Sequence, residues 1–202
     1  MRRKTQEKKE EILKAASEIF KEFGFERASM SKISSRLGGS KATLYNYFSS
    51  KEELFFEVIS IENAQESDFV HKVIDTKNEI NDLPTQLYKF GKRFLNFVYS
   101  KKMIEIRRLT ISQSGITDLG KITYKNRVLK SQEILSKYLN KAIEVNKLKK
   151  TNTDLAAKHF FGLLESEILY PFLFKTDEKF TEKQMNEMAK KAVNVFILAY
   201  GI

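Results

Sequence analysis

Two prolines in 202 residues leave almost nothing to interrupt a helix. Proline removes a backbone donor and clashes with the preceding turn, so its scarcity permits long uninterrupted helical segments. Glycine is also sparse, at eight residues. Apolar residues recur at spacings of three and four, and alternating β-branched runs bounded by turn signals are hard to find. The pattern predicts an all-α protein. With 42% hydrophobic residues the chain is long enough to bury a real core, as one large domain or as a small and a larger one.

Between Glu10 and Phe23, Ile12, Ala16, Ile19, Phe20 and Phe23 build one apolar stripe, and Gly24 supplies a stop. Ser29 is placed to cap a second short helix with Met30, Ile33 and Leu37 on its inner side, closed by Gly38-Gly39. Ser40 restarts the chain, and a third short helix is predicted over about Lys41 to Tyr47. Ser50 and Glu53 have capping-box spacing and open a fourth helix. Weaker boundaries fall at Asn81 to Pro84, Ser114 to Gly120, Lys147 to Thr153 and Thr176 to Thr181. A second capping box, Thr181 to Gln184, opens a last helix towards Tyr200. Pro171 should bend or end its helix at Leu169 or Tyr170. The predicted division is a segment of short helices, residues 1–50, and a longer helical segment, residues 51–202.

Two short helices joined by a glycine turn and braced by an amphipathic helix are what a major-groove reader requires, although any small three-helix bundle shares that periodicity. The residues are more specific. Ile12-Leu13, Ala15-Ala16, Phe20, Gly24-Phe25, Ser29-Met30, Ile33, Gly38, Ser40-Lys41, Thr43-Leu44-Tyr45, Tyr47-Phe48 and Ser50-Lys51-Glu52-Glu53-Leu54 together resemble the N-terminal helix-turn-helix domain of the TetR/AcrR family of bacterial transcription regulators.

That resemblance implies a homodimeric, cytoplasmic regulator of transcription that binds a pseudo-palindromic operator in double-stranded DNA. It also implies a C-terminal helical domain for ligand binding and dimerisation. Lys41, Ala42 and Tyr45 match positions that touch base edges, and Thr43, Asn46, Tyr47 and Lys51 match positions that hold phosphates. Hydroxyls, an amide and an ammonium are suitable phosphate donors, and such contacts set register without reading sequence. Ser29 is a cap first, and a phosphate contact near the start of the second helix is a secondary role open to Ser29 or Ser31. The plainer alternatives are that Tyr45 and Tyr47 pack inside the protein and that Lys41 is only a solvated charge. Gly39 departs from the family pattern, which commonly has an aliphatic residue there.

In the C-terminal part, Phe160, Phe161, Leu164, Ile168 and Phe172, then Met185, Met188, Ala192, Val195, Phe196 and Ala199, form two apolar helices. Pairing with symmetry mates in a four-helix interface and burial within one protomer both fit them. Phe90, Phe94, Phe97, Tyr99, Met103, Ile106, Tyr124 and Phe161 are candidates to line a pocket for a hydrophobic or amphipathic effector, and no spacing rule separates lining from packing. Arg107-Arg108-Leu109 and Asp118-Leu119-Gly120 loosely resemble a segment found in one branch of the family.

Other classes find little support. The formal charge of +10 favours an anionic partner, nucleic acid or an anionic membrane surface. Phe160 to Phe174 is interrupted by Glu165 and Glu167 and is too short to span a membrane. Glu7, Glu10 and Glu11 stand where a secretion signal would be apolar, while Arg2, Arg3 and Lys4 could act as a basic arm on DNA or as a plain charged tail. There is no cysteine, and His71 and His159 have no partner at metal-ligand spacing, so no metal or cofactor is expected. No phosphate-cradling loop, nucleophile elbow or triad is present, so no enzyme activity is expected. The expected function is a repressor released from its operator by a small molecule. The alternative is a DNA-binding regulator, or a nucleoid or cell-division factor, with no effector.

Overall fold

The computed structural model describes residues 2–75, 80–176 and 178–202, with side chains described from residue 5 onward. The side chains expected to form a basic arm, Arg2, Arg3 and Lys4, therefore lie outside the described residues. Among the described residues all regular structure is helical, apart from the isolated bridges Ser114 with Thr117 and Leu148 with Gly201. The chain divides into two compact units, one containing residues up to Ala64 together with Gln113–Thr123, and one containing Gln65–Ser112 and Tyr124–Ile202.

The smaller unit holds α1 (Arg2–Arg27), α2 (Met30–Leu37), α3 (Lys41–Tyr45) and α4 (Lys51–Glu62), with α8 (Leu119–Thr123) packed on α4. Helix α1 starts earlier than its apolar stripe suggests, because the charged first turns carry their own pairs, such as Lys8 with Glu11 at 2.7 Å. It breaks where expected: Gly24 adopts φ 72° and ψ 168°, which residues with a Cβ rarely tolerate. The chain then turns inward so that Phe25 and Ala28 join Ile12, Ala16, Ile19 and Phe20 in the core. Phe55 of α4 closes this core edge-on, with ring centres 5.0 Å from Phe20 and 4.9 Å from Phe25. Edge-to-face rings of this kind add to the stabilisation from burial alone.

The larger unit contains most of α5 (Ala64–His71), then α6 (Leu83–Val98), α7 (Lys101–Gln113) up to Ser112, a π-helical turn at Tyr124–Leu129, α9 (Lys130–Glu144), α10 (Thr153–Glu165), α11 (Leu169–Phe174) and α12 (Glu182–Tyr200). Its core centres on Phe90, Phe160, Phe196, Tyr138 and Leu87, supplied by α6, α10, α12 and α9. Gly91 allows close packing: a Cβ there would lie 2.6 Å from Leu164 Cδ2 and 3.5 Å from Ala189 Cβ.

Pro171 does not break its helix at Leu169 or Tyr170 as expected. The interruption comes earlier, at Ser166–Ile168, and Pro171 sits in the first turn of α11. Amide groups of a first helical turn have no intrahelical acceptor, so the missing N–H costs nothing there. The apolar residues expected on the last two long helices also divide. Phe160, Phe161, Leu164, Ile168, Phe172, Met185, Met188, Ala192 and Phe196 are buried within the protomer. Val195 and Ala199 are exposed.

Candidate nucleic-acid interface

The site is built by three caps and one turn. Ser29 begins α2 by accepting the Lys32 N–H at 3.2 Å. At the other end Gly38 takes φ 66°, its N–H donates to Ser35 O, and the Gly39 N–H donates to Ser34 O, both at 3.2 Å. This is a Schellman closure, and Gly39 occupies the position where an apolar side chain often packs back on the helix. Ser40 then caps α3 by accepting the Thr43 N–H at 3.1 Å. Ser50 caps α4 through Glu53 N, while the Glu53 carboxylate accepts from Ser49 N at 2.8 Å and from the Ser49 hydroxyl at 2.7 Å. The expected box is thus shifted by one residue on its return side. Each cap is worth about 1 kcal/mol, and together they fix α3 between two rigid ends.

Two apolar side chains orient α3. Leu44 and Phe48 are buried, four residues apart, on the side facing the unit's core. The opposite side consists of Lys41, Ala42, Tyr45 and Asn46, all exposed, with Tyr45 at 51%. Tyr45 therefore does not pack inside the protein. The α-helix proper ends at Tyr45, and Asn46 and Tyr47 continue as a turn whose N–H groups donate to Ala42 O and Leu44 O. Tyr47 and Thr43 are half-buried, and Thr43 Oγ1 shares a 3.0 Å hydrogen bond with Ser40 Oγ.

Lys51 stands apart from this strip. Its ammonium donates to the Phe25 carbonyl at 2.9 Å and the Ala28 carbonyl at 3.3 Å, and lies 4.2 Å over the Phe25 ring. A cation among the free carbonyls at a helix end is electrostatically favourable. Two of the three ammonium donors are used this way, which by count leaves one for a phosphate.

The positioning residues that sequence reasoning missed are on α2. Arg36 spans to α1, with Nη2 on Glu22 at 2.7 Å and Nη1 on Glu18 at 3.3 Å. Lys32 donates to the Arg27 carbonyl at 3.0 Å and lies 4.2 Å over Phe23. Glu18 and Glu22, four apart on the same side of α1, were the available signal for the first. The second follows only from the chain's turn at Gly24.

Of the candidate pocket residues, Phe90, Tyr99, Met103 and Phe161 are buried, Phe94, Phe97 and Ile106 are half-buried, and Tyr124 is 55% exposed. A depression of about 700 Å³ in the larger unit is lined by other residues, among them Asp68, His71, Lys72, Asp75 and Lys137. Among the described residues no group of His, Asp or Glu side chains is arranged to hold a metal ion, and no helix is long and apolar enough to cross a membrane.

Residues 12–58 match the description of bacterial regulatory proteins of the tetR family, and residues 85–202, more than half of the chain, match the C-terminal domain of AefR-like transcriptional repressors. The HTH-type transcriptional activator FasR of Mycolicibacterium smegmatis is 45% identical over 53 residues, which are 26% of this chain and only 24% of that protein. The fatty acid metabolism regulator protein of Bacillus subtilis is 25% identical over 161 residues, or 78% of this chain and 80% of that one. A solved structure from Mesorhizobium loti, named as a TetR-family transcriptional regulator, superposes with a TM-score of 0.79 at 25% identity over 98% of both chains.

Proposed function

The chain belongs to the TetR family of DNA-binding transcription regulators, and on that premise we propose that it is a homodimeric repressor, released from a pseudo-palindromic operator by a small hydrophobic or amphipathic effector. One observation carries the DNA reading: α3 presents Lys41, Ala42, Tyr45 and Asn46 outward while Leu44 and Phe48 anchor it from behind. In the proposal Lys41, Ala42 and Tyr45 meet base edges. Thr43, Asn46, Tyr47 and Lys51 hold phosphates, and Ser29, whose hydroxyl already caps α2, adds a further phosphate contact. Residues 1–50 then serve as the DNA-binding domain and residues 51–202 as the regulatory and dimerisation domain. Helix α4 packs on α1, which in turn braces α2, and leads by chain continuity into α5, which makes it the lever between these roles.

The dimer reading rests on an apolar face that the protomer leaves uncovered. On α12, Val195, Leu198 and Ala199 are exposed at helical spacing, followed by Ile202, and on α10 Leu155, His159 and Gly162 are exposed. Leu198 is 83% exposed and Ile202 79%. An isologous pairing of such faces gives a closed dimer. Two recognition helices about 34 Å apart then enter successive major grooves.

The sign of regulation is read from the larger match. The repressor description covers residues 85–202, whereas the activator matches only 53 residues. The Bacillus relative is named for fatty acid metabolism, so acyl compounds are the first effector class to try. A regulator that acts on DNA works in the cytoplasm of a bacterial cell. For release the effector need only favour the non-binding state, typically by about 1 to 3 kcal/mol.

The test is fluorescence anisotropy with duplexes from the flanking intergenic region and with an unrelated duplex. Wild type should prefer one pseudo-palindromic sequence. Tyr45→Ala should relax specificity at one operator position, and Tyr47→Phe should weaken binding to all sequences. Unchanged affinity in both variants overturns the residue roles, and a purified protein that ignores DNA at low salt overturns the function.

A further inference from the structure

The arginine pair Arg107-Arg108, conspicuous in the sequence, is used neither by the DNA-reading strip nor by the exposed α10 and α12 face. Both residues lie on α7. Arg107 Nη2 donates to Glu165 Oε1 at 2.8 Å, and the Tyr99 hydroxyl donates to the same oxygen at 2.6 Å. The Arg107 guanidinium lies 4.7 Å from the Tyr99 ring centre and 4.6 Å from that of Phe172, and the Arg108 guanidinium lies 5.6 Å from Phe172. Among the described residues Glu165 is the one carboxylate against these two guanidinium charges, and it pairs with Arg107.

Two donors are left over. Arg107 Nη1 and Arg108 Nε are buried and meet no acceptor among the described residues. A structural tie between helices would satisfy each guanidinium, because a sequestered charged donor without an acceptor is costly. An arrangement that instead keeps excess positive charge on aromatic faces, with donors unpaired, is complementary to an anion. Tyr99 and Phe172 also belong to the same apolar core as Phe161, so a chain leaving that anion meets hydrocarbon.

We propose that Arg107 and Arg108 form the head-group site for an anionic amphiphile, a carboxylate or phosphate ester carrying an alkyl tail. The anion accepts from Arg107 Nη1 and Arg108 Nε, while Glu165 holds Arg107 in place and competes with the ligand for its charge. This rests on the effector-responsive reading above and supplies the chemical class of the effector.

The experiment holds chain length constant and varies the head group. Dodecanoate, dodecyl phosphate and dodecanol are titrated into the full-length protein by calorimetry, and each is tested for release of the operator. The two anions should bind, with their relative affinity separating a carboxylate from a phosphate source, and dodecanol should bind at least tenfold more weakly. Arg108→Gln removes an Nε–H that meets no acceptor among the described residues, so its folding, checked by thermal unfolding, should be intact. It should weaken the anions by about tenfold to a hundredfold and leave dodecanol unchanged. Glu165→Gln keeps an acceptor for Tyr99 but removes the competing charge, and should tighten dodecanoate binding. A merely structural cluster gives no dependence on head group and a Glu165→Gln variant that binds no better. Equal binding of dodecanol and dodecanoate overturns the anion site while leaving an effector-responsive repressor standing. Failure of both anions to bind at millimolar concentration also overturns it, and operator release then has to be sought with uncharged compounds.

Discussion

Single residues carry most of what could be read in advance, and also the points where reading failed. Ser29, Ser40 and Ser50 were legible as caps because a short polar side chain before an apolar run has few other uses. Gly38 was legible as a left-handed closure, but its neighbour was not: Gly39 has no positive φ, and a Cβ there would meet nothing within 4 Å. Its flexibility thus serves no local steric need, and Gly39→Ala should raise stability by about 0.4–1 kcal/mol by restricting the unfolded chain. A higher denaturation midpoint with an unchanged m-value would show this, and a lower one would mean that the turn needs glycine. Lys51 was legible as a cation at the start of α4, but its carbonyl partners depend on where Gly24 turns the chain. His71 is a different case, since nothing in its sequence surroundings announces burial. Its Nδ1–H donates to Ser67 O at 2.9 Å and its Nε2 accepts from the Ser131 hydroxyl at 2.8 Å. Burial lowers its pKa below the usual value, and the Ser67 carbonyl only partly opposes that shift. The unfolded chain therefore binds the proton more readily, and stability should fall as pH drops below about 6.5 through the lowered folded-state value. In His71→Gln, thermal unfolding between pH 7 and 5 should lose that part of the slope. A slope identical to wild type would mean that His71 is not its source.

Helices, taken as elements, were legible where one period dominates. The apolar stripes of α1 and α2 and the Thr181–Gln184 box of α12 follow directly from residue spacing, and the structure has both box hydrogen bonds. Which side of a long helix meets which neighbour was not legible. The apolar surface of α10 and α12 exceeds what one stripe needs, and spacing alone cannot divide it between the protomer's own core and a partner. The division depends on close approach of helices far apart in sequence, and the residue that sets it here is small. Gly91 lets α6 approach Leu164 of α10 and Ala189 of α12, a contact that only packed helices reveal. Gly91→Ala should gain helix propensity of up to about 1 kcal/mol but force Leu164 aside, and overpacking of this kind costs about 1–3 kcal/mol. The second effect is the larger, so the variant should unfold at a lower temperature. Adding Leu164→Val should recover part of the loss. If Gly91→Ala alone is stabilising, α6 and α10 are not held at this distance in solution.

The whole molecule inverts the simplest inference from charge. The formal +10 pointed to an anionic partner, yet the unit bearing the reading helix holds only 13 of the 36 basic residues and 11 of the 26 acidic ones. Most of the excess charge therefore sits in the other unit, where Arg107 and Arg108 lie. Of the proposed phosphate contacts, Ser29, Thr43, Asn46 and Tyr47 are neutral and Lys51 alone is cationic, with Lys41 proposed near the bases. Counterion release scales with phosphates neutralised, at a slope of about −0.9 for each. A dimer using Lys51, or Lys51 and Lys41, from each protomer should thus show log K falling against log salt with a slope of only about −2 to −4. A slope near −9 would mean that cations outside the reading strip, such as Arg2, Arg3 and Lys4, also lie on the duplex. The same titration tests the dimer. Leu198→Glu places a charge on the exposed α12 face, where a side chain 83% exposed has little burial to lose within the protomer but is repelled by its own symmetry mate. Sedimentation should then report a monomer with a stability close to wild type, and the salt slope should halve because one half-site is engaged. A Leu198→Glu protein that still sediments as a dimer would place the interface elsewhere, and an intact dimer with a halved slope would mean that the slope does not count half-sites.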